Sequence, residues 1–223
     1  MVRRNGGATT SPSSRSGGSS EHAVVGADVM STALEPVARP RSVWRPVALL
    51  VGLMWVAELI DLVLPYDADA LGIRSRSLAG LPGIVLAPLL HLGFAHLVAN
   101  TVPLVVLGLL VSWRAGRLFW PVVGTIVLLG GAGVWALGAP GVVTLGASGL
   151  VFGLLTYLLT AGVLTRHWLD VLIAVGVLLT YGSLLWGALP MAVPDGVSWL
   201  GHLCGAAAGT IAAFAFAQRS GRG

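Results

Sequence analysis

No lysine occurs in this sequence, cysteine occurs once, and charged residues make up only 10% of the 223 positions. Each scarcity excludes something. So few charges against 56% hydrophobic residues, with a mean hydropathy of +0.87, exclude a soluble domain of this length and point to a membrane protein. The single cysteine, Cys204, cannot build a disulfide framework within one chain and reads as a packing residue. No H-E-x-x-H occurs and no carboxylate motif stands beside the histidines, so neither a metal nor another cofactor is expected. No short apolar run with a small-residue cleavage site opens the chain, so a cleaved secretory signal is not expected.

What the chain has instead is apolar length. A hydrocarbon core about 30 Å thick needs roughly 20 apolar residues per helix, and six such stretches fall near 44–64, 94–113, 117–137, 147–165, 168–187 and 198–217. All thirteen basic residues are arginine. Arg3, Arg4, Arg15, Arg39, Arg41, Arg45, Arg114, Arg117, Arg166, Arg219 and Arg222 fall on one side of the six spans, and only Arg74 and Arg76 on the other. By the positive-inside rule both termini are expected in the cytoplasm of a multi-pass cell-membrane protein. The net charge of +4 reflects this asymmetry and an attraction to the lipid bilayer, so a nucleic-acid partner does not follow.

Residues 1–42, rich in Ser, Gly, Pro and Arg, read as a disordered cytoplasmic tail. Residues 43–218 form the six-helix membrane domain, and 219–223 a short cytoplasmic tail. The connection PYDADALGIRSRSLAGLPGIVLAPLLHLGF between the first two spans is too long for an ordinary loop and predicts a structured, partly embedded segment on the outer face. Glu58 and Asp61, in the outer half of the first span, read as a hydrated helix end. The third and fifth spans, poorest in polar side chains, read as scaffold.

With the amino terminus inside, spans two, four and six all begin at the outer face. His91, His96 and Asn100 stand at the start of the second, Ser148 at the start of the fourth, and His202 one turn into the sixth. His96 and Asn100, four apart, share a helix face, whereas His91 sits just ahead of the helix proper and need not join it. The five can therefore lie in one layer, which predicts an active site opening to the outer face. The chemistry that fits is acyl transfer. A serine hydroxyl needs a base within reach, and a neutral histidine is the usual one. The tetrahedral intermediate needs donors, which Asn100, His96 and the backbone N–H of Ser148 at a helix start would supply. No acidic third member stands in the layer, so a Ser148–His202 dyad is predicted. Gly146 and Gly149 flank Ser148, and Gly205 and Gly209 form G-x-x-x-G after His202; these small residues predict close packing of the fourth helix on the sixth, with Phe152 beneath the imidazole.

HLGFAHLVAN, GASG and HLCGAAAG, in six spans in this order, resemble the rhomboid family of intramembrane serine proteases. The resemblance covers about residues 44–217. It implies an all-α polytopic fold, a six-helix transmembrane bundle with a water-filled cavity open to the outside. The activity it implies is a serine endopeptidase whose partners are single-span membrane protein substrates cut in or near the bilayer. It makes Ser148 the nucleophile, His202 the general base, and His96 with Asn100 the oxyanion stabilisers, and it leaves His91 a less fixed role in the outer region. The alternative is a non-catalytic binder of membrane proteins on the same fold. Two features depart from the family pattern: the loop reads RSRSLAGLPGIV where many members carry a Trp-Arg pair, and Phe152 stands where many bacterial members have tyrosine.

Overall fold

The computed structural model describes residues 42–63, 68–193 and 196–219. The tail expected at 1–42 therefore lies, except for Ser42, outside the described residues, as do 220–223. Long apolar runs become helices because lipid offers no partner to a free backbone N–H or C=O. Six form here: α1 (Trp44–Val63), α2 (Phe94–Ala115), α3 (Phe119–Leu137), α4 (Ser148–Thr165), α5 (Trp168–Tyr181) and α6 (Trp199–Phe216). α2 and α3 belong to one helical run of 44 residues. At 1.5 Å per residue that run would be roughly twice as long as the hydrocarbon is thick. Gly116, at φ 55°, breaks it into two crossings. The result is a multi-pass, rhomboid-like helical bundle.

The bundle is centred on α4, where 56% of the span is buried, and bounded by the α5 run, where 6% is. α6 lies against α4 along a seam of glycines. A Cβ added at Gly205 would fall on the carbonyl of Gly149, and one added at Gly209 on the carbonyl of Gly153. Thr156 Oγ1 donates to Ala206 O across the same seam at 2.7 Å. α3 closes on the seam from the other side, since a Cβ at Gly130 would stand 3.4 Å from Gly205 Cα. α6 starts with an N-cap, Ser198 Oγ accepting from Gly201 N–H at 3.1 Å.

The fifth span differs from its expected form. Its α-helix ends at Tyr181 and continues as a 3₁₀ helix from Gly182 to Ala188. Gly187 is brought so close to the centre that a Cβ would stand 3.1 Å from Phe152 and 3.3 Å from His202 Nδ1.

The long connection before α2 is structured, as its length predicts. It runs through 3₁₀ turns, a strand β1 (Ile73–Arg74) and a helical turn (Gly83–Leu86). β1 pairs antiparallel with β2 (Val143–Thr144), which leads into α4, with Ile73 opposite Thr144. The segment is clasped to the end of α3: Arg76 N–H donates to Trp135 O at 2.9 Å, Ser75 Oγ to Val134 O at 3.1 Å, and Trp135 Nε1 to Ser77 O at 2.8 Å. The tryptophan of this anchor thus comes from α3 and the arginine from the loop.

At the opposite end a buried ion pair joins Arg114 of α2 to Asp170 of α5. Arg114 Nη2 also donates to Ala217 O at 2.9 Å, and Thr165 Oγ1 to Asp170 Oδ2 at 2.7 Å, so one network ties α2, α4, α5 and the end of α6. α1 is the most lipid-exposed of the early helices, with Val47, Met54 and Glu58 as its buried residues. Reading Glu58 as a hydrated helix end is therefore corrected: only 7% of it is exposed.

Gly209→Ala should lower the thermal midpoint in detergent, since overpacking of this kind costs about 1–3 kcal/mol. Gly124→Ala is the control: nothing lies within 4 Å of its added Cβ. Alanine should match or stabilise the helix there by up to about 1 kcal/mol.

Candidate active site

Five of the side chains singled out in the sequence, Ser148, His202, His96, Asn100 and Phe152, line one cavity of about 910 Å³. Three helix starts build it. Ser148 is the first residue of α4, so its backbone N–H is among those a helix leaves without an internal partner. His202 lies in the first turn of α6, buried and 7% exposed. Phe152, one turn beyond Ser148, stacks under the His202 ring with centroids 4.2 Å apart and planes 7° from parallel.

Backbone partners decide which ring nitrogen carries each hydrogen. His202 Nδ1 lies 2.8 Å from Gly187 O. A carbonyl can only accept, so Nδ1 holds the hydrogen and Nε2 of the neutral ring keeps a lone pair. That is the tautomer a general base requires. Gly187 is a residue that sequence reasoning missed. Every residue has a carbonyl, and only the 3₁₀ winding after α5 brings this one to the imidazole. Ser148 Oγ and His202 Nε2 are not bonded to each other among the described residues; such bonds often tighten only with substrate.

His96 has the opposite tautomer. Its Nδ1 accepts from Leu92 N–H at 3.3 Å, so Nε2 carries the hydrogen and is a donor. Asn100 Nδ2 gives one hydrogen to His96 O at 3.1 Å and keeps a second. Two donors therefore stand in the cavity that the serine lines.

The glycines divide their work differently from expectation. Gly149 and Gly205 meet at the α4–α6 seam, and Gly209 meets Gly153 there. Gly146 is corrected: it does not face α6. Its φ of 107° belongs to glycine, and a Cβ there would stand 2.7 Å from His96 Cε1, so it lets the imidazole lie flat against the serine turn. His91, 1% exposed, is part of the same construction. Its Nε2 accepts from Ala147 N–H at 3.3 Å, and its ring meets His96 edge-on at 5.1 Å. It holds the residue before the serine without lining the cavity.

A family model described as the rhomboid domain matches residues 79–219, a stretch that contains every one of these groups. The chain belongs to the rhomboid family. Among its relatives are uncharacterized proteins of Mycobacterium tuberculosis and Mycobacterium bovis, each 39% identical over 184 residues, 79% of this chain and 77% of theirs. An uncharacterized protein of Mycobacterium leprae is 37% identical over 171 residues, 74% of this chain and 67% of its own. Rhomboid membership accounts for the six crossings and the order of the polar motifs.

Burial, and secondarily the neighbouring His96, push the His91 imidazole down from 6.5 to about 4, so it stays neutral and keeps its bond to Ala147. Between those two values the unfolded chain binds a proton that the folded one does not, so this group's contribution to stability is lost as pH falls from 6.5 toward 4. Above 6.5 it adds no pH dependence. His91→Asn should accordingly flatten the fall in thermal midpoint across that window, measured by unfolding in detergent at a series of pH values; an unchanged slope would remove His91 as its source.

Proposed function

We propose that this rhomboid is an intramembrane serine endopeptidase that cleaves single-span membrane proteins through Ser148 and His202. The observation that carries the reading is the Nδ1–H···O=C bond from His202 to Gly187, 2.8 Å long, which leaves Nε2 as a base in the cavity that Ser148 lines. A binder that never cleaves needs a cavity but gains nothing from a fixed imidazole tautomer.

In the mechanism, Ser148 Oγ attacks the carbonyl carbon of the scissile bond while His202 Nε2 takes its proton. The negative charge that develops on the carbonyl oxygen is met by Asn100 Nδ2–H, His96 Nε2–H and the Ser148 backbone N–H. Collapse of the tetrahedral intermediate breaks the C–N bond, and the imidazolium gives its proton to the leaving amine. Water then attacks the ester carbonyl with His202 again as base, releasing the new carboxyl end and restoring the serine hydroxyl. Peptide bonds in an intact helix are shielded, so substrates with glycine or proline near the cavity should be preferred. The arginine asymmetry supports a cavity on the outer face and both termini in the cytoplasm.

Cleavage of a single-span reporter in membranes tests the reading: wild type should cut it, Ser148→Ala should not, and equal cleavage by the two would overturn the mechanism. A fluorophosphonate probe should label wild type and spare Ser148→Ala. Asn100→Ala should lower turnover on the order of 10²-fold, as loss of one oxyanion donor does; an unaltered rate would remove Asn100 from that role.

A further inference from the structure

We infer that the carbonyl oxygen of Ala99 is a binding site for a backbone N–H of the substrate, on the side of the scissile bond that faces the bilayer midplane. The inference rests on the proteolytic reading above and adds an acceptor to a site whose other groups are a nucleophile, a base and donors. It starts from a covalent fact. Pro103 stands inside α2, which is helical on both sides of it, from Phe94 to Ala115. Proline has no N–H, so the carbonyl four residues back, that of Ala99, lacks the helical partner it would otherwise have. A leftover carbonyl within a membrane is costly unless a nearby side chain donates to it or it lines a cavity.

The neighbouring polar side chains do not take this carbonyl. Asn100 Nδ2 donates to His96 O at 3.1 Å, and Thr101 Oγ1 to Leu97 O at 2.8 Å. The threonine hydroxyl is fixed in that direction, because its oxygen accepts from Trp55 Nε1 at 3.2 Å and its one hydrogen is left for Leu97. The cavity is what remains. Ala99 is exposed, and Ala99 and Pro103 both line the cavity of about 910 Å³ that Ser148 lines. Ala99 is three residues past His96, roughly 4.5 Å farther from the helix start, and helix carbonyls point onward along the axis. α2 therefore offers the cavity two donors at the level of the serine and one acceptor closer to the midplane. A substrate needs such an acceptor. Its helix must unwind before Ser148 can reach a peptide carbonyl, and unwinding frees N–H groups that lipid cannot satisfy. With the scissile carbonyl held by His96 and Asn100, an extended chain rising about 3.3 Å per residue brings an N–H to Ala99 O roughly one to three residues toward the midplane.

Single-span reporter peptides test this in proteoliposomes of the full-length protein. On the midplane side of the scissile bond, one amide at a time is replaced by an ester, which removes the N–H and keeps the chain length. In wild type, one ester position should lower kcat/KM about fivefold more than the others, the effect of one lost hydrogen bond. Pro103→Ala supplies the missing N–H and closes the helical bond on Ala99 O. It should therefore lower kcat/KM for the all-amide reporter about fivefold and bring the sensitive ester within about twofold of it, while the thermal midpoint holds or rises. Pro103→Val, closer to proline in volume, should act like Pro103→Ala and so separates the N–H from the bulk of the ring. Full activity in Pro103→Ala, an ester profile unchanged by it, or a loss that Pro103→Val does not share would overturn the inference. So would a loss of turnover in Pro103→Ala with no sensitive ester in wild type, the result expected if water occupies the carbonyl. Binding gives a readout independent of cleavage. In a Ser148→Ala background the sensitive ester should weaken binding of the reporter, measured by fluorescence anisotropy in nanodiscs, and adding Pro103→Ala should erase the difference; equal Kd for all reporters would overturn the acceptor role. A reporter cut equally by Ser148→Ala and by wild type sinks the proteolytic reading instead, and the binding comparison then decides the inference.

Discussion

The closeness of α4 to α6 is the constraint on which the rest depends. In lipid there is no hydrophobic force to push one apolar helix against another, so contact has to come from surfaces that fit at short range. Gly149, Gly153, Gly205 and Gly209 supply that fit by letting carbonyls of one helix occupy the space a Cβ would take on the other. Gly130 of α3 joins at the same point, which makes Gly205 a contact for two helices at once. Ser148 opens α4 and His202 stands in the first turn of α6, so whatever sets the distance between these helix starts also sets the geometry of the cavity.

A second theme is that the backbone orients nearly every polar side chain of the site. Gly187 O directs His202, Leu92 N–H directs His96, His96 O holds Asn100, and Ala147 N–H is held by His91. Backbone groups in a membrane protein must be satisfied in any case, and those at helix ends and in 3₁₀ turns are the ones left over. The site uses these leftovers to choose tautomers. A neutral imidazole can be either a base or a donor toward a given point, and here the two histidines of the cavity are held in opposite forms by an acceptor and a donor of the main chain.

Much of this was legible in one dimension. Six crossings followed from apolar length, and the polar layer followed from three motifs falling at the starts of alternate helices. The structured connection before α2 followed from its length. What did not follow has physical causes. The last turns of the fifth span wind as 3₁₀, and no side chain in LLWGALP announces that the Gly187 carbonyl will meet an imidazole. Gly146 looked like its neighbour Gly149, yet its contact is His96; a small residue shows that something comes close, without showing what. Glu58 and Asp61 share one span and one chemistry, but one side chain is buried and the other accepts an amide from the following loop.

The sequence by itself determined the environment, the number of crossings, their order and the residue types available for chemistry, because hydropathy and helix geometry act locally along the chain. Tertiary structure decided which side chains share a cavity, which nitrogen of each histidine carries the hydrogen, and which carboxyl is buried. Those depend on contacts between residues tens of positions apart, such as Gly149 with Gly205 or Ala147 with His91, and a distance of that kind exists only once the helices have packed.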